Sequence, residues 1–238
     1  ATPDMRGAPP SPGLSVRLPS GLAAFSIPNY RLWALGSFTS AIGGWMQSTA
    51  QGFLIFELTK DPAYLGFASF SYGIPIWIFT LYSGVIADRV PRRTLLVVTN
   101  TVMMLLAAAM AVLVMSGLVR PWHILVLAFM LGLANAFDAP SRQGFVVDLV
   151  GKDHLTNAIG LNASIFHMAT MIGPAIGGLA YAVLGPGWCF AANATSFIVM
   201  ITVLLRMRLP AHTPRVRTSS AVGEMMEGLR YAVSSRTV

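Results

Sequence analysis

The chain has 238 residues, of which 55% are hydrophobic and only 11% charged, and its mean hydropathy is +0.65. A soluble domain carries about 25% charged residues, so the composition excludes an ordinary water-soluble globule and requires hydrocarbon around much of the surface. The formal charge of +7 does not indicate nucleic acid, because a basic footprint needs Lys and Arg clustered on a soluble face and here they sit at the ends of apolar runs. The expected partner is the lipid bilayer.

Residues 1–29 are rich in Pro, Gly and Ser and lack the apolar core of a signal peptide, so they are expected to form a disordered cytosolic arm. Crossing about 30 Å of hydrocarbon takes about 20 apolar residues in a helix. Runs of that length occur at 32–57, 63–87, 94–116, 122–147, 155–184 and 187–206. The expected fold is therefore an all-α membrane protein of six transmembrane helices, a bundle over residues 30–209. Its connections, such as Lys60-Asp61-Pro62 and Gly185-Pro186-Gly187, are too short for an inserted domain, so successive helices run antiparallel. Beyond Pro210 the chain turns polar. Val222, Met225, Met226, Leu229 and Val233 then recur at helical spacing, which predicts an amphipathic helix in a cytosolic linker over 210–238. The one cysteine, Cys189, lies in an apolar run and reads as a small buried hydrophobe.

Cationic residues set the orientation. With the N-terminal arm in the cytosol, Lys60 and Arg120 fall outside and the other 14 of the 16 Lys and Arg fall inside, a strong inside bias. Both ends of the chain are thereby placed in the cytosol, together with the charged turn Gly84-Val85-Ile86-Ala87-Asp88-Arg89-Val90-Pro91-Arg92-Arg93.

Within the spans, Trp33, Ser37, Ser40, Gly44, Gln47 and Gln51 recur at intervals of three and four on one face of the first helix. Such a stripe either lines a cavity or glues helices together. The fourth span repeats the feature with Gly132, Asn135, Asp138 and Arg142. At 1.5 Å per residue Asp138 lies about 24 Å from Trp122, still within the hydrocarbon. A charge at that depth is a functional candidate with a partner, and Arg142, one turn on, is the nearest. The pair can equally be an intrahelical bridge that pins the end of the span. Pro75, Pro140 and Pro174 predict bends, and Gly173 and Gly177 have the spacing that permits close backbone approach. His167 reads as a packing residue.

These motifs carry a resemblance. The chain is similar to the N-terminal six-helix half of a major facilitator superfamily transporter. The turn from Gly84 through Asp88, Arg89, Arg92 and Arg93 resembles the superfamily's signature loop between spans two and three, departing at Pro91, where Gly is usual. Gly173-Pro174-Ala175-Ile176-Gly177-Gly178 resembles the fifth-span motif of proton antiporters. Asn29-Tyr30-Arg31-Leu32-Trp33, Gly44-Trp45-Met46-Gln47 and the stretch from Asn135 to Gln143 look like the enterobactin-exporter-like branch of drug:proton antiporters.

The resemblance implies a three-plus-three inverted repeat, half of a twelve-helix fold, in a bacterial inner membrane. It implies proton-driven export of drug- or siderophore-like molecules, and a missing C-terminal six-helix half as partner. Ser40, Gln47, Gln51 and Asn135 would face the substrate cavity. The turn would be a gating latch in which Asp88 and Arg89 hold the two halves together in one conformation. An Arg that many drug antiporters carry in span four is Ala128 here, so Asp138 and Arg142 become the candidates for proton coupling. A half-sized membrane scaffold without transport activity is the alternative. An intramembrane enzyme is a further alternative, but the chain has no Gly-x-Ser-x-Gly elbow and no paired His for a metal, so neither enzymatic chemistry nor a cofactor or metal is expected.

Overall fold

The computed structural model describes residues 20–207. Among them are six α-helices: α1 (Pro28–Thr59), α2 (Ala63–Arg89), α3 (Arg92–Met115), α4 (Pro121–Val150), α5 (Leu155–Leu184) and α6 (Pro186–Arg206). Their ends follow from local chemistry. Pro28, Pro121 and Pro186 occupy the first turns of α1, α4 and α6, where a missing N–H removes nothing and a fixed φ favours the helix. Gly185, at φ 86°, stops α5 and admits α6 at once, in a left-handed conformation that a side chain would resist. Helix α5 has the predicted bounds, α3 starts two residues before its run and ends one short of it, and α1, α2, α4 and α6 outrun theirs by one to six residues. Hydropathy ends at the polar interface, whereas hydrogen bonding continues through it.

Helices α2 to α6 are each long and apolar enough to cross a membrane. The sixth, α1, is the longest at 32 residues but falls short in apolarity, because the predicted polar stripe runs along it. Large apolar side chains cover the outer faces of α2 and α5, with Phe70 67%, Trp77 87%, Met171 78% and Leu179 68% exposed. So much bare hydrocarbon is tolerable only in lipid or against a partner, as suits a multi-pass membrane protein.

The N-terminal arm departs from the disorder expected over residues 1–29. Its last part is ordered: Ser20–Ser26 form a short 3-10 helix. Ala24 is buried there, and its N–H donates to Asn157 Oδ1 on α5 at 2.8 Å. A buried alanine and an amide acceptor 133 residues away hold this segment down, and neither shows in its composition. Residues 1–19 and the predicted linker and amphipathic helix of 210–238 lie outside the described residues.

The buried core runs the length of the bundle in three clusters. One joins Tyr30, Trp33, Leu96, Phe145 and Leu204, a second Met103, Ala134 and Phe197, and a third Leu54, Ile55, Ile124 and Phe190 with Cys189. The helices of the pairs α2 and α4, α1 and α5, α1 and α6, α3 and α6, and α3 and α4 pack extensively. Glycines set the closest approaches. A Cβ at Gly173 would overlap Trp45 Cβ, and one at Gly177 would stand 2.9 Å from Met46 Cα, so α5 lies backbone to backbone against α1. A Cβ at Gly178 would meet nothing within 4 Å.

Candidate functional site

A cavity of about 1170 Å³ opens among α1, α2, α4 and α5, and Met103 of α3 and Asn193 and Phe197 of α6 also line it. Ser40, Gln47, Gln51 and Asn135 all line it, and so do Asp138 and Arg142. One helix face can serve both uses that the spacing left open. Gln47 is 5% exposed, and its Oε1 accepts from Asn193 Nδ2 on α6 at 2.7 Å, so this residue lines the cavity and also joins two helices.

Asp138 is 3% exposed and fully engaged. Its Oδ1 accepts from Thr99 Oγ1 at 2.7 Å and from Asn100 Nδ2 at 2.8 Å, both on α3. Its Oδ2 accepts from Arg142 Nε one turn along α4. Arg142 Nη2 closes the ring by donating to Asn100 Oδ1 at 3.1 Å. The guanidinium also lies 5.8 Å over the Trp33 ring, within cation–π range. The carboxylate thus has a partner for each oxygen, which is the condition for keeping a charge in a low-dielectric interior.

Sequence reasoning missed Thr99 and Asn100. A signal was present: Asn100 is the one amide side chain on α3, and an isolated amide in an apolar span seeks a polar partner. His167 also departs from its expected role. It is exposed on the cavity wall and is not a buried packing residue. Gly173 and Gly177 take the contact with α1, and at about 100° per residue His167 lies well round the helix from Gly173.

The charged turn is built differently. Gly84 lies in the last turns of α2, where a Cβ would meet nothing within 4 Å, and Arg89 is exposed at its end. Arg92 Nη1 donates to the Gly144 carbonyl at 2.9 Å and to Asp148 Oδ1 at 3.0 Å, tying α3 to α4. Arg93 Nη2 donates to the Leu205 carbonyl at 2.7 Å, in the last turn of α6, where a cation also meets the negative end of the helix dipole. The Asp88 side chain, on which the latch expectation rests, lies outside what the structure describes. Since Asp148 is 38% exposed, solvent screens its bridge and a surface pair is worth about 0–1 kcal/mol. Asp148→Asn is accordingly expected to lower stability by less than about 1 kcal/mol, measured by thermal unfolding in detergent.

Helices with apolar outer faces, gathered round a mostly apolar cavity into which α1 and α4 set polar side chains, define a multi-pass helical membrane protein. The chain belongs to the transmembrane secretion effector family of the major facilitator superfamily, which matches residues 19–238. This is a family of transporters, not of enzymes. The chain is 28% identical over 170 residues to the staphyloferrin A transporter of Staphylococcus aureus, covering 71% of this chain and 43% of that protein. It is 22% identical over 202 residues to macrolide efflux protein A of Streptococcus pyogenes, covering 84% and 50%. To the multidrug efflux pump Tap of Mycolicibacterium fortuitum it is 28% identical over 166 residues, covering 66% and 41%. The chain thus spans about half the length of the relatives it matches.

Proposed function

We propose that this chain is the N-terminal half of a proton-coupled exporter of small amphipathic molecules that works by alternating access in a bacterial inner membrane. The observation that supports the reading is the cavity, lined together by Ser40, Gln47 and Gln51 of α1 and Asn135, Asp138 and Arg142 of α4. In this reading α1 is the sixth span and both ends of the bundle face the cytosol. The packing supports a three-plus-three repeat. Exchanging α1 with α4, α2 with α5 and α3 with α6 turns the α1–α5 contact into the α4–α2 contact and the α1–α6 contact into the α4–α3 contact, and leaves α3–α6 unchanged. Each of these pairs is extensive. The missing partner is a C-terminal six-helix half that closes the open side of the cavity.

The relatives' names favour siderophores, macrolides or mixed drugs as cargo. Asp138 and Arg142 are the proton-coupling pair, and the turn at Gly84, Asp88, Arg89, Arg92 and Arg93 gates the rocking of the halves. Gly173 and Gly177 let α5 slide on α1 during that motion, while Pro174 and Gly178 complete the antiporter motif. The test uses everted membrane vesicles holding the native gene product. An imposed inside-acid gradient is expected to drive macrolide uptake and a protonophore to abolish it. Uptake indifferent to the gradient would remove proton coupling, and no uptake of macrolides or siderophores would remove the export reading.

A further inference from the structure

Buried polar atoms in folded proteins nearly always have a hydrogen-bond partner. Among the described residues two buried side-chain atoms have no protein partner, Trp33 Nε1 and Ser37 Oγ. Both lie on α1, four residues apart and hence on one face, and both residues line the cavity. Trp33 is 2% exposed. Its indole ring packs between the Phe145 ring, 5.1 Å away, and the Arg142 guanidinium, and a ligand oxygen reaches the N–H only when these neighbours shift slightly. Ser37 differs from the threonines of its helix, and its hydroxyl is buried. Thr39, Thr49 and Thr59 each donate to the carbonyl four residues back, whereas the Ser37 hydroxyl makes no such bond.

We infer that this corner of the cavity is a subsite for a hydrogen-bond-accepting oxygen of the transported molecule, a carbonyl or a carboxylate, received by the Trp33 N–H and the Ser37 O–H. The inference deepens the export reading and rests on it. An indole nitrogen donates only, so the complementary ligand atom must accept. An ammonium group, itself donor-only, would face the indole N–H with the Arg142 guanidinium close by. Asp138 offsets the Arg142 charge through their ion pair, so the corner selects by donor geometry and not by net charge. One lost hydrogen bond of this kind weakens binding by about five- to tenfold.

The test measures equilibrium binding of three probes to the purified native gene product. Erythromycin presents neutral carbonyls, 5-carboxyfluorescein presents carboxylates, and ethidium contains no oxygen. Trp33→Phe keeps the aromatic ring and removes the N–H, while Ser37→Ala removes the hydroxyl with little change of volume. Each variant is expected to weaken the oxygen-bearing probe that the wild type binds by about five- to tenfold, and to leave ethidium within about twofold. Which of the two responds tells a neutral oxygen acceptor from an anionic one. Equal weakening of all the probes that bind would show a packing role and overturn the inference. Unchanged binding of the oxygen-bearing probes would show that water satisfies both donors, and would overturn it too. A wild type that binds only ethidium sinks the subsite and leaves export standing, whereas one that binds none of the probes sinks both.

Discussion

Gly132→Ala is expected to destabilise the protein by about 3 kcal/mol or more, seen as a lower melting temperature in detergent and lower membrane abundance. Gly66→Ala, the control, is expected to leave stability unchanged or raise it slightly. The contrast is geometric. A Cβ at Gly132 would overlap the carbonyl oxygen of Tyr72 and lie 2.9 Å from Pro75 Cγ, while one at Gly66 would meet nothing within 4 Å. The obstacle at Gly132 is backbone, which cannot change rotamer to make room.

Pro75 adds rigidity at this crossing. Its ring is closed onto its own backbone, so the Cγ that stands 2.9 Å from the added Cβ cannot rotate away. The helices must separate instead. The cavity then suffers with the packing, because Tyr72 on α2 and Asn135 and Asp138 on α4 are among its lining residues. At Gly66 alanine brings only its better helix propensity, about 1 kcal/mol over glycine. Equal melting of wild type and Gly132→Ala would show that the crossing is slack.

Particular residues show what could be read from the sequence. The helices were legible because hydrocarbon demands about 20 apolar residues per span and the proline-bearing turns before Ala63, Pro121 and Pro186 interrupt the runs. The polar faces of α1 and α4 were legible because spacing of three and four residues fixes a face whatever packs on it. Which helices pack together was not legible. Periodicity says that Asp138 needs a partner and that Arg142 is within reach, but it cannot say that α3 brings Thr99 and Asn100 to the same carboxylate.

Gly132 illustrates the same limit. It falls on the polar face of α4 by spacing, yet its use is to let α2 approach, which depends on a neighbour that one sequence does not name. The order at Ser20–Ser26 was hidden for a related reason. A segment rich in Pro, Gly and Ser reads as loose until Asn157 supplies an acceptor from far along the chain.

The second large effect is expected at the carboxylate. Asp138→Ala removes the acceptor for three donors, Thr99 Oγ1, Asn100 Nδ2 and Arg142 Nε. It also leaves the guanidinium without its counter-ion. Breaking one side of a buried pair costs about 3–5 kcal/mol. The lower part of that range is expected here, because the Arg142 side chain keeps 25% exposure and its contact with Trp33. Arg142→Gln is expected to destabilise as well, by stranding the carboxylate. The double variant Asp138→Asn, Arg142→Gln removes both charges and retains amides that can bond to Thr99 and Asn100. It is therefore expected to recover most of the stability, since a buried pair replaced as a unit is often nearly neutral.

That recovery separates the two roles left open for the pair. Proton exchange requires a group that can be charged and discharged, which the double variant lacks. If the pair couples protons, a double variant of near-normal melting temperature binds its substrate yet shows no gradient-driven uptake. If the pair only pins α4 to α3, stability and gradient-driven uptake return together, and coupling must lie elsewhere in the transporter.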